Sequence, residues 1–352
     1  MQLVINTPGS TLRVKEGCFY IKTPVIPRIE ESADPEPADK QVQISVGKVQ
    51  SILISTQAFL TTDAIKLAVD NNIDIIFLNQ FGAPYGRVWH CRMGSTAAIR
   101  RKQLEIAETE SGLQIVIEYT SRKINNQLEF IEKLLRARKE KESELTSSLS
   151  SLKGLIGQVQ RIKETNTTIA DKRNEIMGLE GTAGRIYFQS ISALLPDRWQ
   201  FTGRTRAPAK DPFNCMLNYA YGVFYSLVEK SCVIAGLDPY IGFLHTDNYG
   251  KPSLVFDLIE PYRYLADATV FYLFSGRQVK QEYFDEIPGG ITLNKEGKAV
   301  LLTALNEVLD KPVRYSGRNL KPRDIIQFDC HKLANKLLGK EKDDFQIELK
   351  EF

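Results

Sequence analysis

The sequence predicts an α+β protein of two domains, and three observations predict it. Up to about residue 92 the chain carries short runs of β-branched and aromatic residues cut by Gly, Pro and Asn. From Ser95 onward long, charged, proline-poor stretches with apolar residues at helical spacing replace them. The length of 352 residues with 43% hydrophobic content supplies enough apolar material for more than one core. The 46 basic residues nearly match the 43 acidic ones, for a net charge of +3. That balance neither demands nor excludes a nucleic-acid partner, because clustering matters more than the sum. The five cysteines (Cys18, Cys91, Cys215, Cys232, Cys330) are scattered and form no CxxC pair. This argues against a disulfide framework and a structural zinc site, and fits a reducing cytoplasm. No signal peptide is expected from MQLVINTPGS, and no stretch approaches the roughly 20 apolar residues of a membrane span.

In the N-terminal part, strands are expected at Leu3–Ile5, Leu12–Val14, Cys18–Ile21, Val42–Val46, Ile52–Ser55 and Ile73–Leu78. Between the last two, Thr61 or Thr62 caps a short helix reaching Asp70, with Ala64, Leu67 and Ala68 on its inner face. Pro27–Asp39, rich in Pro and acids, reads as a mobile loop. A Gly82, Pro84, Gly86 cluster leads to a last strand near Arg87–Trp89.

Helices follow at Ile99–Glu108, Leu113–Arg138 and Glu140 to about Lys163. In the second, Ile117, Ile124, Leu128, Ile131 and Leu135 recur at spacings of 3, 4 and 7. The Ser-rich patch Thr146–Ser151 is expected to break or fray the third. A helix over Ile169–Leu195 carries Ile176, Leu179, Ala183, Ile186, Tyr187 and Ile191 as its stripe. Further helices are expected over Asp211–Ala235, ended by Gly236, from Ser253 as N-cap, and over Asn294–Leu309 and Lys321–Leu338. Leu265–Phe274 is core. A basic connection (Lys311, Arg314, Arg318, Lys321, Arg323) joins the last two helices.

The residues with chemical potential gather in Gly242–Arg263, GFLHTDNYGKPSLVFDLIEPYR. Asp257 and Glu260 stand three apart, on one face if helical, just before Pro261, which kinks or tightens the helix. With His245 they offer an imidazole nitrogen and carboxylate oxygens, a donor set suited to Mn²⁺ or Mg²⁺. Glu180, on the inner face of the Ile169–Leu195 helix, is a candidate third arm. Burying it is costly unless it is paired or metal-bound, so it either binds a metal ion or pairs with an arginine such as Arg173 or Arg185. Gly178, Gly181 and Gly184 flank it at a spacing of three, at roughly 2–3 kcal/mol against alanine. Their bare backbone suggests close approach by another element, here the 242–263 segment. Arg198, Arg204, Arg206 and Lys210 interleave with Trp199 and Phe201 in a loop. Either the arginines contact phosphate and the aromatics stack on bases, or the aromatics anchor a solvated loop. His90 and His331 read as structural or surface residues.

Taken together, the motifs resemble a known family. MGLEGTAGRIYF around Glu180, DPFNCMLNYAYG over Asp211–Gly222, GFLHTD around His245, SLVFDLIEPYR with Asp257 and Glu260, and KINNQL over Lys123–Leu128 stand in order along the chain. The chain thereby resembles, over essentially its full length, the CRISPR-associated endonuclease–integrase family, the spacer-acquisition subunit. The resemblance implies an N-terminal β-sandwich (residues 1–94) serving dimerisation and partner contacts, and an all-α, metal-dependent catalytic domain (95–352). It implies Glu180, His245 and Glu260 as ligands of Mn²⁺ or Mg²⁺, and Asp257 as a second catalytic acidic position beside the metal, either supporting the ligands or serving as an alternative one. It makes Arg198, Arg204 and Arg206 candidates for DNA contact, with Asp211 and Asn214 holding loop and helix in place. The implied activity is joining of 3′-hydroxyl DNA ends into a repeat array, with DNA as nucleophile. This suits a chain with no Ser–His or Cys–His nucleophile signature. The implied partners are double-stranded DNA (spacer precursor and CRISPR repeat), a second copy of the chain and the smaller adaptation subunit, in a prokaryotic cytoplasm without a membrane. The rival readings are a catalytically silent DNA-binding scaffold, against which the intact Glu180, His245 and Glu260 argue, and a general metal-dependent nuclease.

Overall fold

The computed structural model describes residues 2–24, 39–49, 51–78, 84–88, 96–162, 167–246 and 249–340. Most of the expected loop at Pro27–Asp39, together with Trp89, His90, Cys91 and Asp247, lies outside them. The chain separates into two compact units, residues 1–93 and 94–341. Among the described residues no helix is long and apolar enough to cross a membrane.

The first unit holds strands β1 (Gln2–Ile5), β2 (Ser10–Lys15), β3 (Cys18–Thr23), β4 (Lys40–Ser45), β5 (Ser51–Ile54) and β6 (Ala58–Leu60), helix α1 (Thr62–Asp70), then β7 (Asp74–Leu78) and β8 (Pro84–Val88). They form two four-stranded sheets, ordered β4-β3-β2-β6 and β1-β5-β7-β8. In the first, β4, β3 and β2 are antiparallel and β6 joins β2 in parallel. In the second, β1, β5 and β7 are parallel and β8 runs back along β7. Alternating residues of both sheets (Leu3, Ile5, Leu12, Phe19, Ile21, Ile52, Ile54, Ile75) share one core with Ala64 and Ala68 of α1. This is the sandwich arrangement. The β2–β3 hairpin turns on Glu16 and Gly17, both at positive φ, the two-residue turn that matches strand twist. Thr61 caps α1 by accepting from Ala64 N at 3.3 Å. β6 is the one described strand of this unit that the pattern does not reveal: three residues with Phe59 70% exposed carry no alternation to read.

The second unit begins with α2 (Thr96–Ile106) and α3 (Glu110–Arg136). Helices α4 (Glu142–Ile162), α5 (Ile169–Ala193), α6 (Pro212–Ile234) and α7 (Ser253–Ile259) follow. A 3₁₀ turn over Glu260–Tyr262 leads into α8 (Arg263–Ser275). After β9 (Phe284–Ile287) and β10 (Gly290–Leu293) come α9 (Lys295–Asp310), β11 (Val313–Tyr315), β12 (Arg318–Leu320) and α10 (Pro322–Leu337). The unit is mostly helical, and the two hairpins β9–β10 and β11–β12 are additions to the all-helical expectation. α3, 27 residues long, packs against α4, α5, α8 and the 260–262 turn; α6 packs against α7, α8, α9 and α10.

Local chemistry sets several helix starts. Thr168 and Asp171 form a capping box on α5, Asp211 caps α6 ahead of Pro212, and Asn294 caps α9. Two expectations are corrected. α4 runs unbroken through Thr146–Ser151, because Thr146 satisfies its hydroxyl on the Glu142 carbonyl and the stripe Leu145, Leu152, Leu155, Ile156, Val159 stays buried. Ser253 is the first residue of α7 rather than its cap, and donates its hydroxyl to the Thr246 carbonyl at 2.8 Å.

Within this core Asp267 of α8 is buried and accepts from Tyr221 (2.5 Å) and Tyr187 (3.1 Å). Burial outweighs these hydrogen bonds and the nearby Arg204 and Arg263, raising its carboxyl to about 6. The folded chain therefore holds this proton more tightly than the unfolded chain. The group's stabilising contribution is complete below the usual carboxylate range and is lost as pH rises through about 6. Asp267→Asn, which cannot ionise, should accordingly gain on the wild type between pH 4.5 and 7.5, by on the order of 2–3 kcal/mol. Denaturant melts of both proteins across that range check it, and parallel stability curves would refute it.

Candidate active site

Four segments converge on one place: the Gly242–His245 loop, α7 with the turn that follows it, the middle of α3 and the middle of α5. The loop lies against the start of α7 so closely that a Cβ on Gly242 would sit 2.6 Å from the His245 carbonyl oxygen and 2.7 Å from Ser253 Cβ. Glycine is required there by contact. Asp257 of α7 then fixes the loop. Its Oδ2 accepts from the backbone N–H groups of Phe243 (2.6 Å) and Leu244 (3.1 Å). Its Oδ1 accepts from His245 N (3.2 Å) and faces His245 Nδ1 at 2.6 Å. A carboxylate in that position selects the tautomer with the proton on Nδ1 and leaves Nε2 as the free lone pair. Among the described residues Nε2 has no hydrogen-bond partner. From the other side, Arg173 of α5 donates to the carbonyls of Leu244 (3.1 Å) and Phe243 (3.3 Å).

Glu260 opens the 3₁₀ turn. Its Oε1 accepts from Arg263 Nε at 2.9 Å, and Arg263 in turn donates to the Tyr225 hydroxyl at 2.8 Å and lies over the Tyr221 ring. Glu260 Oε2 is buried, 2.5 Å from Lys123 Nζ, with no well-directed hydrogen bond of its own. The same ammonium contacts Glu180 Oε1. Side-chain exposure is 10% for Lys123, 7% for Glu260 and 20% for Glu180, so the three groups meet with little water between them. Burial opposes both charges, yet each prevails. Arg263 and Lys123 hold the Glu260 carboxyl well below its usual range, and Glu260 and Glu180 hold the Lys123 ammonium above its own. For His245, burial lowers basicity, but the hydrogen bond to Asp257 and the charges of Asp257, Glu260 and Glu180 outweigh it, so its pKa is raised.

The sequence-derived candidates are thus brought together, with changes. Asp257 has both oxygens turned to the His245 loop, where it positions the imidazole rather than facing the two glutamates. Glu180 is neutralised by Lys123; Arg173 is engaged by the loop carbonyls and Arg185 is exposed. Gly178, Gly181 and Gly184 do not seat the 242–263 segment: among the described residues nothing lies within 4 Å of a Cβ placed on any of them. Gly178 and Gly181 are exposed. Lys123, Asn126 and Arg263 were not singled out by residue type. Lys123 and Asn126 lie within KINNQL and Arg263 within SLVFDLIEPYR, and Lys123 also belongs to a polar strip (Thr120, Lys123, Gln127) inside the apolar face of α3.

As a home for a divalent cation, the donor chemistry fits. Two carboxylates already enclose a cationic group, one oxygen of Glu260 is buried without a directed donor, and the imidazole presents a lone pair. The ligand cage itself is not closed: among the described residues no three His, Cys, Asp or Glu side chains are grouped to hold a metal ion. The Lys123 ammonium stands between the two acids.

The arginine loop divides. Arg204 is turned into the fold, donating to Asn214 Oδ1 and, at 2.8 Å, to Asn218 Oδ1, and lying over the Phe188 and Tyr221 rings. Burial lowers its pKa. It is a structural cation here, which corrects its candidacy for DNA contact. Arg198 and Arg206 are exposed. Asn214, fully buried, ties Arg204, Gly203 and Asp211 together, the loop-holding role expected of Asp211 and Asn214. Trp199 and Phe201 are buried anchors, edge-on to Phe274 and stacked on Phe213 respectively, not open stacking faces.

The chain is similar to known proteins over most of its length. Residues 3–307 match the family model for CRISPR associated protein Cas1. The CRISPR-associated endonuclease Cas1 1 of Archaeoglobus fulgidus is 31% identical over 351 residues, covering 97% of this chain and 98% of that protein. A casposase bound to integration product shares the fold at a TM-score of 0.77 and 22% identity, covering 99% of this chain and 95% of its own. The Cas6-RT-Cas1–Cas2 complex does so at 0.71 and 22% identity, over 99% of this chain and 36% of that one. The chain belongs to the Cas1 family.

Proposed function

We propose that this chain is a divalent-metal-dependent DNA endonuclease and integrase of CRISPR adaptation, which joins 3′-hydroxyl ends of new spacer DNA into a repeat array. One observation carries the reading: Glu180 and Glu260 meet at one cationic position from separate segments, and a histidine with its lone pair freed by Asp257 lies within electrostatic reach of both. The endonuclease name of the Archaeoglobus relative and the integration product held by the casposase support it. The smaller Cas2 subunit in the neighbouring complex supports a partnership with that protein. A homodimer, with the β-unit serving dimerisation and partner contacts, and work in the prokaryotic cytoplasm complete the proposal.

Glu180, Glu260 and His245 Nε2 would hold Mn²⁺ or Mg²⁺, which when bound supplies a Lewis acid for a phosphate oxygen. Asp257 keeps the Nδ1 proton in place so that Nε2 stays available. Arg263 fixes one oxygen of Glu260, and so the direction in which the other points. The joining step conserves phosphodiesters: the incoming 3′-hydroxyl gives up its proton and its oxygen bonds to phosphorus, as the 3′ oxygen of the repeat strand leaves and takes up a proton. No side chain need become covalently attached. Arg198 and Arg206 are the loop cations left to meet DNA phosphates.

His245→Ala and Glu260→Ala should each abolish joining of a 3′-hydroxyl duplex into a repeat-containing plasmid while the protein stays folded, and EDTA should do the same to the wild type. Asp257→Asn should weaken Mn²⁺ binding by about 10–100-fold. Joining by purified His245→Ala or Glu260→Ala at the wild-type rate would reject the site. Cleavage without joining, with Cas2 present, would leave a general nuclease; DNA binding alone, a scaffold.

For the loop, Arg198→Ala with Arg206→Ala should flatten the salt dependence of DNA binding by roughly 0.9 for each phosphate no longer neutralised. Arg204→Ala should instead cost about 1–3 kcal/mol of stability, since it leaves Asn214 and Asn218 without their donor. An unchanged salt slope in the double variant would remove the loop from the DNA footprint.

A further inference from the structure

We propose that Lys123 is an internal counter-cation: its ammonium holds the Glu180 and Glu260 carboxylates together while no metal is bound, and yields its place to the divalent cation. The inference rests on the metal-site reading above and adds a residue that has no part in it.

The geometry leaves few alternatives. Lys123 sits in the middle of α3, its backbone anchored in a helix packed on α4, α5 and α8. Its ammonium meets Glu180 of α5 and Glu260 of the 3₁₀ turn at once. Among the described residues Glu180 is its one hydrogen-bond acceptor, and these two carboxylates are its ion-pair partners. Without a cation between them, two carboxylates of 20% and 7% exposure would repel each other across a space too dry to screen them. Arg263 answers only one oxygen of Glu260, Oε1. The other, Oε2, depends on Lys123.

A divalent cation needs those same oxygens. Ammonium and metal therefore compete for one position, and binding of the metal must displace Nζ. The lysine stem can accommodate this: four carbons with a strongly hydrated, compact charge at the end allow the head to move while the backbone stays fixed. Neighbouring grips keep the site in register during the exchange. Asn126, one turn along α3, donates to the Pro261 carbonyl at 2.7 Å, so the turn carrying Glu260 stays attached to α3 when the ammonium leaves. Lys123 is thus a positioning residue that keeps the site assembled without metal and lowers its affinity for metal.

The test uses the full-length chain, with Mn²⁺ as probe, read by electron paramagnetic resonance titration and by thermal melts in EDTA and in excess Mn²⁺. Lys123→Met, close in volume and uncharged, should melt lower than wild type in EDTA and gain more than wild type from Mn²⁺. It should bind Mn²⁺ more tightly by on the order of 10-fold, within the range of couplings between two ligands. Lys123→Gln, which keeps a donor without the charge, should move the same way and serves if Lys123→Met does not fold. Unchanged or weaker Mn²⁺ binding in the folded variant would overturn the proposal. Glu260→Gln separates the two readings. If it loses Mn²⁺ while the Lys123 variants match wild type, only the counter-cation role falls. If Glu260→Gln binds Mn²⁺ like wild type, the metal-site reading falls and the counter-cation role with it.

Discussion

Two carboxylates cannot both stay ionised in a nearly dry space unless a cation lies between them, and much of the helical unit is arranged around that constraint. Glu180 arrives on α5 and Glu260 on a 3₁₀ turn, and neither segment supplies a charge for the other. The neutralising group comes from α3, whose Lys123 reaches both acids, with Arg263 completing the shell from the first residue of α8. Each contact draws one segment toward the others. The ion cluster therefore stabilises the site's architecture only as a whole, because a buried pair that loses one partner leaves an uncompensated charge.

α3 does more than carry the lysine. Asn126 holds the Pro261 carbonyl, and Arg122 meets Asp329 of α10 at 3.1 Å. Asp329 also accepts from the hydroxyls of Tyr262 and Tyr315. One helix thus grips Glu260 and Pro261 directly and Tyr262 through α10. The β11–β12 hairpin is fastened to the same aspartate by Tyr315. Pro261 has a physical role here: the missing N–H interrupts the α-helical ladder, and the tighter turn aims Glu260 at α3 and α5 instead of along the α7 axis. Another buried carboxylate, Asp267, sits with Tyr187 and Tyr221, and the Tyr221 ring is flanked by Arg204 and Arg263. The site rests on a polar layer continuous with the loop that carries Arg204.

The histidine side of the site follows a different rule. Asp257 spends its acceptor capacity on three backbone N–H groups and one imidazole, and so sets loop path and tautomer together. The close seating of Gly242 on Ser253 makes that geometry possible. Loop position and ring orientation are coupled: moving the loop would break the hydrogen bonds that orient the ring.

The sequence by itself determined most of the elements and the reactive residue types. It did not determine β6 or the two hairpins of the helical unit, whose strands of three or four residues are too short to show a period. Alternation in Leu3–Ile5 or Ile52–Ile54 and the stripe of α3 are written in local spacing, because side chains that share a face must recur at the period of the backbone. The caps at Thr61 and Asp211 are legible for the same reason: donor and acceptor lie within four residues of each other. His245, Asp257 and Glu260 fall in one short stretch, so their association needed no tertiary information. What only the tertiary structure decided were choices between distant partners. Glu180 pairs with Lys123 and not with Arg173, Arg204 turns inward to Asn214 and Asn218, and the glycines of α5 face open space. The Ser-rich part of α4 stays helical because α3 and α5 bury its other face. Nothing in the spacing along one chain fixes which of several cations reaches a carboxylate; that depends on where helices cross, and the crossings are set by packing of the whole core.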